Sequence, residues 1–259
     1  MRLAVMADIH GNMLAFEAVL ADLASVGEVD NIWILGDIAA MGTHPAACVA
    51  KIREMIEQHD KDKVQVIGGN ADRYLVTGKR PHSSRGAKDA EALAKLITSS
   101  EDMNAALIWN LRQCGWEDYE FLAKILGQEL FLNVPEYGNV IGVHAVPGDD
   151  EPLAFLPNSP DEEAADALLD REGRLALAGH THTRMDRTVG RWRIVNPGSV
   201  GFSFTQSGRA EWALITFENG EAQVDLRGVL YDVDAAIAQA DIVGYPSKVL
   251  LESRLRNQR

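Results

Sequence analysis

The chain has 259 residues, of which 46% are hydrophobic, so it is long enough to bury the core of an ordinary globular protein. This composition excludes a disordered chain, a collagen and a disulfide scaffold. Lys and Arg number 25 against 38 Asp and Glu, and the net charge of −13 disfavours binding to nucleic acid or to an anionic membrane through bulk charge.

The cysteines and the N-terminal segment predict a cytoplasmic protein. Cys48 and Cys114 form no CxxC spacing, so reduced thiols are expected. Asp8 interrupts the N-terminal apolar segment too early for a signal peptide. No run approaches the roughly 18 apolar residues of a membrane span. We therefore expect neither export nor a membrane span, and the oligomeric state stays open.

The first part of the chain alternates between strand and helix patterns. Apolar runs at 3–6, 32–35 and 64–67 predict strands. Apolar residues at helical spacing predict one helix over 13–23 and another that starts at Pro45. Alternation of this kind predicts a parallel sheet.

Helical patterns then interrupt this alternation over residues 84–126, approximately. We interpret this segment as a helical insertion within a single domain that spans residues 1–259. After it comes a short run at 129–132. Apolar runs at 140–143 and 175–178 predict strands, and a helix is predicted over 160–171.

The last third of the chain changes to strand patterns, and Asn219-Gly220 is typical of a hairpin turn. The predicted strands are 192–195, 200–204, 212–217 and 223–230. Together they predict a second, more antiparallel sheet. Helices are predicted over 232–240 and 246–259, and the second, which is basic, is interpreted as a solvated terminal helix rather than a binding element.

Five of the predicted strands end in residues that can bind a metal ion. These strand ends read AVMADIH, IWILGD, VQVIGGN, NVIGVH and LALAGHTH. Because ligands of α/β sheets bind beyond the carboxyl ends of strands, these residues could converge on one crevice. The candidate ligands are Asp8, His10, Asp37, Asn70, His144, His180 and His182.

The ligand types indicate a transition-metal centre. Imidazole nitrogens combined with carboxylate and amide oxygens suit Mn, Fe or Zn better than Ca or Mg. Seven ligands exceed one site, and if Asp37 bridges, two ions can be held about 3.5–4 Å apart, the separation that clamps a phosphoryl transfer. The positive charge of two ions would attract a phosphate to an otherwise acidic protein.

These motifs resemble those of the calcineurin-like metallophosphoesterase superfamily, and most of all those of its small prokaryotic phosphodiesterase-like branch. The matching motifs are Asp8-Ile9-His10, Gly36-Asp37, Gly69-Asn70, Val143-His144, Gly179-His180-Thr181-His182 and the loop from Asn196 to Gly201. The resemblance runs from residue 1 to about residue 230. It implies an α/β fold with a two-sheet β-sandwich flanked by helices, into which the helical segment is inserted.

The resemblance also implies two metal ions, Mn or Fe foremost, with Ni or Zn possible. Asp8, His10, Asp37 and His182 would bind one ion, and Asp37, Asn70, His144 and His180 the other. The implied mechanism is in-line attack of a metal-bridging hydroxide on the phosphorus of a small phosphate ester. On this hypothesis the catalytic residues are Asp37, Asn70, His144 and Asp72.

One position departs from the family pattern, which commonly reads Gly-Asn-His-Asp or Gly-Asn-His-Glu. This chain reads Gly69-Asn70-Ala71-Asp72, so the acid histidine that assists the leaving oxygen is missing. A positioned acid contributes about 10²–10⁴ in rate, so esters with poor leaving groups should suffer most. We therefore favour phosphodiesters as substrates.

Two alternatives remain open. The chain could be a phosphomonoesterase that acts on nucleotides or phosphoproteins, although residues 36–42 read GDIAAMG and lack the arginine that such phosphatases carry. It could also be a non-catalytic scaffold on the same fold, for which Ala71 is the best argument.

Further polar residues near the motifs have two interpretations each. Asn12 could contact a phosphate or cap the following helix. His44, Arg73 and Arg85 could contact substrate or be surface cations. The segment 196–201 could shape a turn or support the loop that carries His180.

Overall fold

A computed structural model of the protein describes residues 1–60, 62–81, 86–206 and 208–256. Its strands and helices follow one another as β1 (Arg2–Met6), α1 (Met13–Ser25), β2 (Asn31–Leu35), α2 (Pro45–Gln58), β3 (Val64–Ile67), α3 (Asn70–Thr77), α4 (Ala90–Gln113), α5 (Trp116–Ile125), β4 (Leu130–Val134), β5 (Gly138–Val143), α6 (Asp161–Asp166), β6 (Leu175–Ala178), β7 (Met185–Val189), β8 (Trp192–Asn196), β9 (Arg209–Glu218), β10 (Glu221–Leu230), α7 (Val233–Val243) and α8 (Lys248–Leu255).

The strands form two mixed sheets of five strands each. In the first sheet the order is β10-β9-β1-β2-β3, with β1, β2 and β3 parallel and β9 antiparallel to β1. In the second sheet the order is β4-β5-β6-β8-β7, with β5, β6 and β8 parallel. The predicted parallel pairing of the first three strands is confirmed.

Residues of β1 alternate between two cores, because successive side chains of a strand point to opposite faces. Leu3 and Val5 face the second sheet and pack there with Trp33 and Val195. The intervening Ala4 and Met6 belong to a separate core beneath the helices. The two sheets therefore stack face to face, and helices cover the outer face of the first sheet.

Helices from distant parts of the chain share the core on that outer face. Phe16 of α1, Ile52 of α2, Leu107 of α4 and Leu122 of α5 are buried in it. The two-sheet sandwich flanked by helices is thus confirmed. Helices α3, α4 and α5 occupy the segment between β3 and β4, and the division of the chain into one domain with an insertion stays a prediction.

The predicted grouping of the last strands is wrong. Only β8 belongs to the second sheet, where it pairs in parallel with β6, whereas β9 and β10 extend the first sheet beside β1. Periodicity predicts a strand but not its partner, since pairing is decided by contacts between residues far apart in sequence.

The strand predicted at 200–204 is also wrong, because this segment forms a bent loop. Its backbone serves the loop after β1 instead: the N–H of Val200 donates to Ala7 O at 3.0 Å and that of Gly201 to Asp8 O at 2.9 Å. Conversely, β7 was not predicted, because its middle residues are polar and half-buried or exposed, as befits an edge strand.

The helix predicted over 160–171 shortens to α6, which is followed by turns. The terminal helix predicted over 246–259 is observed as α8, and residues 257–259 lie outside the described part of the chain. Helix α8 is not merely solvated, because Leu251 and Leu255 are only 3% and 4% exposed. None of the helices within the described ranges combines the length and apolar character needed to span a bilayer.

Candidate metal centre

The candidate ligands lie where parallel strands of both sheets end. Asp8 and His10 follow β1, Asp37 follows β2, Asn70 follows β3, His144 follows β5, and His180 and His182 follow β6. The contacts between them show that all seven side chains, which span more than half of the chain, meet in one place.

The backbone is left-handed at several of these residues. The angle φ is 57° at Asp8, 51° at His10, 53° at Asp37, 63° at His180 and 52° at His182. Non-glycine residues are uncommon in this region, and each costs roughly 1–3 kcal/mol of strain. The surrounding structure thus holds an unfavourable backbone in place in order to aim these side chains at the centre.

Gly69, directly before Asn70, is required by close packing. A Cβ atom at this position would lie 2.6 Å from the backbone nitrogen of Asp37 and 2.6 Å from Cε1 of His144. Any larger residue would therefore push apart two of the candidate ligands.

One group of ligands consists of Asp8, His10, Asp37 and His182, whose ligand atoms all lie within 4.8 Å of one another. His10 Nε2 lies 3.0 Å from His182 Nε2 and 3.4 Å from Asp37 Oδ2. His182 Nε2 lies 3.6 Å from Asp8 Oδ1. Asp8 Oδ2 is buried and has no hydrogen-bond partner among the described residues, so this group contains an unsatisfied acceptor.

A second group consists of Asp37, Asn70, His144 and His180. Asn70 Oδ1 lies 2.9 Å from His144 Nε2 and 3.0 Å from His180 Nδ1. His144 Nε2 also lies 3.6 Å from Asp37 Oδ1. Asp37 is therefore common to both groups, since its Oδ2 faces His10 and its Oδ1 faces His144.

Backbone carbonyls determine which nitrogen of each histidine carries the proton. Each ring has one nitrogen beside a carbonyl oxygen: His10 Nδ1 at 3.0 Å from Ala40 O, His144 Nδ1 at 2.7 Å from Leu35 O, His180 Nε2 at 2.9 Å from Glu151 O and His182 Nδ1 at 2.9 Å from Phe202 O. Because a carbonyl only accepts, that nitrogen donates, and the other presents a lone pair to the centre.

Burial keeps the four imidazoles neutral. Burial lowers the pKa of His10 to about 3 and that of His180 to about 4, and it also lowers the pKa of His144 and His182. The carboxyls respond in the opposite direction, since burial raises the pKa of Asp37 to about 6. Burial and the neighbouring Asp37 raise the pKa of Asp8 well above its usual range.

In this centre, hydrogen-bond acceptors face one another without a donor between them. They are the neutral imidazole nitrogens, two carboxylates and one amide oxygen, which lie 2.9–3.6 Å from one another. Such a set is unfavourable by itself and is satisfied by cations. Mixed imidazole and carboxylate ligands fit divalent transition metals. The residues present thus fit a metal site, and the shared position of Asp37 fits a pair of ions.

Asp72 takes a different position from the other predicted catalytic residues. Its carboxylate is fully buried and accepts hydrogen bonds from the backbone N–H groups of Ile38, Ala39 and Gly69 at 3.0–3.1 Å. These contacts join the loop after β2 to the start of α3. They are the contacts of a positioning residue, and a catalytic role for Asp72 stays a prediction.

The loop 196–201 holds two of the loops that carry the candidate ligands in place. The Asn196 side chain donates to Gly179 O at 2.6 Å and to Thr181 Oγ1 at 3.1 Å. Ser199 Oγ donates to Asp8 O at 2.8 Å. Of the two interpretations of this segment, these hydrogen bonds favour support of the loop that carries His180.

The other polar residues singled out from the sequence are engaged elsewhere. Asn12 caps α1 by accepting from the N–H of Ala15 at 3.2 Å. His44 is the N-cap residue of α2. Arg73 pairs with Asp150 and Glu151, each at 2.6 Å. Arg85 lies outside the described residues.

A cavity of about 390 Å³ opens onto the metal centre. His10, Asp37, Asn70, His180 and His182 form one part of its wall. The rest is mainly apolar and contains Met41, Ala71, Met103, Leu107 and Phe204. Sequence reasoning missed Tyr74, Ser253 and Arg254 in this wall. For Arg254 of α8 the available signal was the helical spacing of the buried residues Leu251 and Leu255.

Comparison with known proteins gives the same family as the motifs. Residues 1–220 match the family model of the calcineurin-like phosphoesterase superfamily domain. An uncharacterized protein of Methanocaldococcus jannaschii is 25% identical over 251 residues, which cover 90% of this chain and 89% of that protein. A symmetrical bis(5'-nucleosyl)-tetraphosphatase of Haemophilus ducreyi is 31% identical over 72 residues, covering 28% of this chain and 25% of the relative.

Two solved structures share the fold over nearly the whole chain. A hypothetical protein from Pyrococcus horikoshii has a TM-score of 0.76 and 24% identity, covering 98% of this chain and 97% of that one. A metallophosphoesterase from Sphaerobacter thermophilus has a TM-score of 0.67 and 23% identity, covering 98% of each chain. The two-sheet architecture is therefore common to these proteins.

Proposed function

Because this chain belongs to the calcineurin-like phosphoesterase superfamily, we propose that it is a dinuclear metal-dependent hydrolase of small phosphodiesters. Membership supports metal-dependent hydrolysis of phosphoric esters in general, whereas the dinuclear site and the preference for diesters are proposals. The dinuclear site rests on the convergence of seven acceptor side chains, among them the shared carboxylate of Asp37, and the preference for diesters rests on Ala71 at the position of the family's acid histidine.

Each group of ligands would hold one divalent ion. Asp8, His10, Asp37 and His182 would bind the first ion, and Asp37, Asn70, His144 and His180 the second. Mn or Fe are the leading ions, and Ni or Zn also suit this ligand set. Bound there, such ions would supply an activated water and neutralise charge on the phosphate.

The protein prepares this chemistry by holding its ligands rigidly. Backbone carbonyls orient the four imidazoles so that each lone pair points inward, and burial keeps the rings neutral. The backbone N–H of Ala71 donates to Asp37 Oδ1 at 2.8 Å and holds the shared carboxylate. Ligands oriented in this way need no rearrangement when the ions bind.

The residues that line the cavity favour phosphodiesters with acidic leaving groups as the substrates. Ala71, at the position of the family's acid histidine, lines the cavity and offers no proton. Tyr74 lines it too, but its hydroxyl donates to Glu151 at 2.7 Å, and burial raises its pKa to about 12. Apart from the proposed metal ligands, the described part of the wall holds no acid of moderate pKa, so leaving groups that require protonation should react slowly.

The assay that tests this proposal compares two chromogenic esters. The purified protein, loaded in turn with Mn, Fe, Ni or Zn, is incubated with bis-p-nitrophenyl phosphate and with p-nitrophenyl phosphate. We expect metal-dependent hydrolysis in which the diester reacts faster, and its loss in chelator. A faster reaction with the monoester would favour a phosphatase, and absence of turnover with every metal would favour a scaffold.

Metal binding is expected to release more protons at about pH 6 than at about pH 8. In the metal-free protein burial raises the pKa of Asp37 to about 6, so this carboxyl is about half protonated at the lower pH, and the pKa of Asp8 is also raised well above its usual range. The histidines add nothing, because their lowered pKa values leave them already neutral. Calorimetric titration with Mn in buffers of different ionisation enthalpy measures the number of protons released.

The different protonation of the carboxyls at the two pH values also predicts how the effect of Mn on the Tm changes with pH. Since protons compete with the metal for the carboxyls at the lower pH, the rise in Tm caused by Mn should grow as the pH increases. Equal proton release at both pH values would contradict the raised pKa of Asp37. Asp241→Asn, an exposed change on α7, serves as the control that should leave proton release unaltered.

A further inference from the structure

The C-terminal helix α8 brings an arginine into the wall of the cavity beside the metal centre. Leu251 and Leu255 anchor the helix in the core beneath the first sheet. Arg254, the residue before Leu255, lines the same cavity as His10 and Asp37. It lies beyond residues 1–220 that match the family model, so no motif of that model accounts for it.

The guanidinium of Arg254 packs over the aromatic ring of Phe202, which in turn lies beside a candidate ligand. The Cζ atom of Arg254 lies 5.8 Å from the centroid of the Phe202 ring. The same ring lies 5.0 Å from the ring of His10. The charge of Arg254 also reaches the ligands, since after burial it is the largest cause that lowers the pKa of His10.

Arg254 does not form the ion pair with a carboxylate that several other partly buried arginines form. Arg184 faces Glu211 at 3.1 Å and Arg227 faces Asp22 at 2.8 Å. No carboxylate within the described ranges forms an ion pair with Arg254, which packs against the face of Phe202, and the charge of Asp37 acts on it only from a longer distance. A partly buried cation without a counter-ion is unfavourable, and an oxyanion that enters the cavity would relieve this.

The other described residues of the cavity wall offer no second cation that could bind an oxyanion. Among the described lining residues it is the only permanent cation, because the histidines are neutral and Met41, Met103, Leu107 and Phe204 are apolar. A guanidinium presents several N–H donors that match the geometry of phosphate oxygens.

We propose that Arg254 binds the phosphoryl oxygens of the ester that is hydrolysed at the metal centre. It thereby supplies the phosphate contact for which neither residues 36–42 nor Ala71 offers a side chain. This assignment rests on the proposed function in taking the ligand to be the reacting phosphoryl group. Arg254 acts as a substrate-binding residue that belongs to α8 rather than to the strand-end motifs.

Calorimetric titration with inorganic phosphate tests the assignment independently of turnover. The Mn-loaded wild type is compared with Arg254→Met, which keeps a long unbranched side chain without charge, and with Arg254→Lys. Arg256→Met is the matched control, because Arg256 lies two residues away and pairs with Asp234 and Glu252 outside the cavity. Elemental analysis and thermal unfolding verify that each variant folds and keeps its metal.

Phosphate binding is expected to weaken about 10–100-fold in Arg254→Met, the value of a hydrogen bond to a charged group. Arg254→Lys should recover part of this loss, and Arg256→Met should bind phosphate as the wild type does. In parallel, KM for the diester should rise in Arg254→Met more than kcat falls.

Two results separate this inference from the proposed function. Unchanged phosphate affinity in a metal-loaded Arg254→Met variant, while the wild type hydrolyses the diester, would overturn the role of Arg254 alone. The opposite result is that phosphate binding depends on Arg254 although the wild type does not hydrolyse the diester. This result would support an anion site at Arg254 and contradict the proposed hydrolase function.

Discussion

Replacing Asp37 with Asn is expected to reduce metal-dependent diester hydrolysis at least about 10³-fold, more than the loss of a single stabilising donor usually costs. The two oxygens of Asp37 face different groups of ligands, Oδ2 towards His10 and Oδ1 towards His144. Asn keeps the shape of the side chain but removes one negative charge and turns one ligand atom into an NH₂ group. Initial rates at saturating Mn measure the effect.

The metal content of this variant is as informative as its rate. If Asp37 is shared between two ions, Asp37→Asn should lose at least one equivalent of metal by elemental analysis. Asp241→Asn makes the same chemical change on the exposed surface of α7 and should retain the wild-type rate and metal content. An Asp37→Asn protein that keeps both ions and more than about a tenth of the rate would contradict a bridging role.

Replacing Asp72 with Asn is expected to lower the free energy of unfolding by about 1–2 kcal/mol, because the loss of charge-assisted hydrogen bonds in a buried site is partly offset by relief of the repulsion between Asp72 and Asp37. Both oxygens of Asp72 accept from backbone N–H groups: Oδ1 from Ile38 and Ala39, and Oδ2 from Ile38 and Gly69. Whichever way the amide of Asn points, its NH₂ faces at least one of these donors. Urea unfolding of the metal-free protein measures the loss.

The pH of this measurement matters, since burial and the neighbouring Asp37 raise the pKa of Asp72 to about 6. Asp72 is therefore ionised at about pH 8, where the comparison should be made. The control is Asp89→Asn, because Asp89 caps α4 by accepting from Ala92 N–H at 2.7 Å and Asn caps helices equally well. A large loss of rate in Asp72→Asn without a loss of stability would instead favour the catalytic role predicted from the sequence.

The parallel strands of the fold and the residues of the candidate site could be predicted from local sequence patterns. The strands predicted at 64–67 and 175–178 coincide with β3 and β6. The ligands could be found because each motif stands directly after an apolar run, and the carboxyl ends of parallel strands meet by construction. The identity of each ligand is thus a local property of the sequence.

The pairing of the strands in the last third of the chain depends on long-range contacts that local sequence patterns do not show. Residue Ala4 pairs with Leu214, so β9 reaches the first sheet across more than 200 residues. Alternation along a strand records which faces are buried but not which strand lies beside it. For the same reason Val200 and Phe202 were mistaken for a strand, although their backbone supports the loop after β1.

The roles of side chains that act through distant partners also required the tertiary structure. Asp72 is one residue from Ala71 in the sequence, yet its partners include Ile38 and Ala39 after another strand. Arg254 lies in a basic terminal segment that resembles any solvated helix, and only the packing of Leu251 and Leu255 turns it towards the cavity. Local patterns determine which side chains can bind an ion, whereas long-range packing determines which of the remaining charges face the bound substrate.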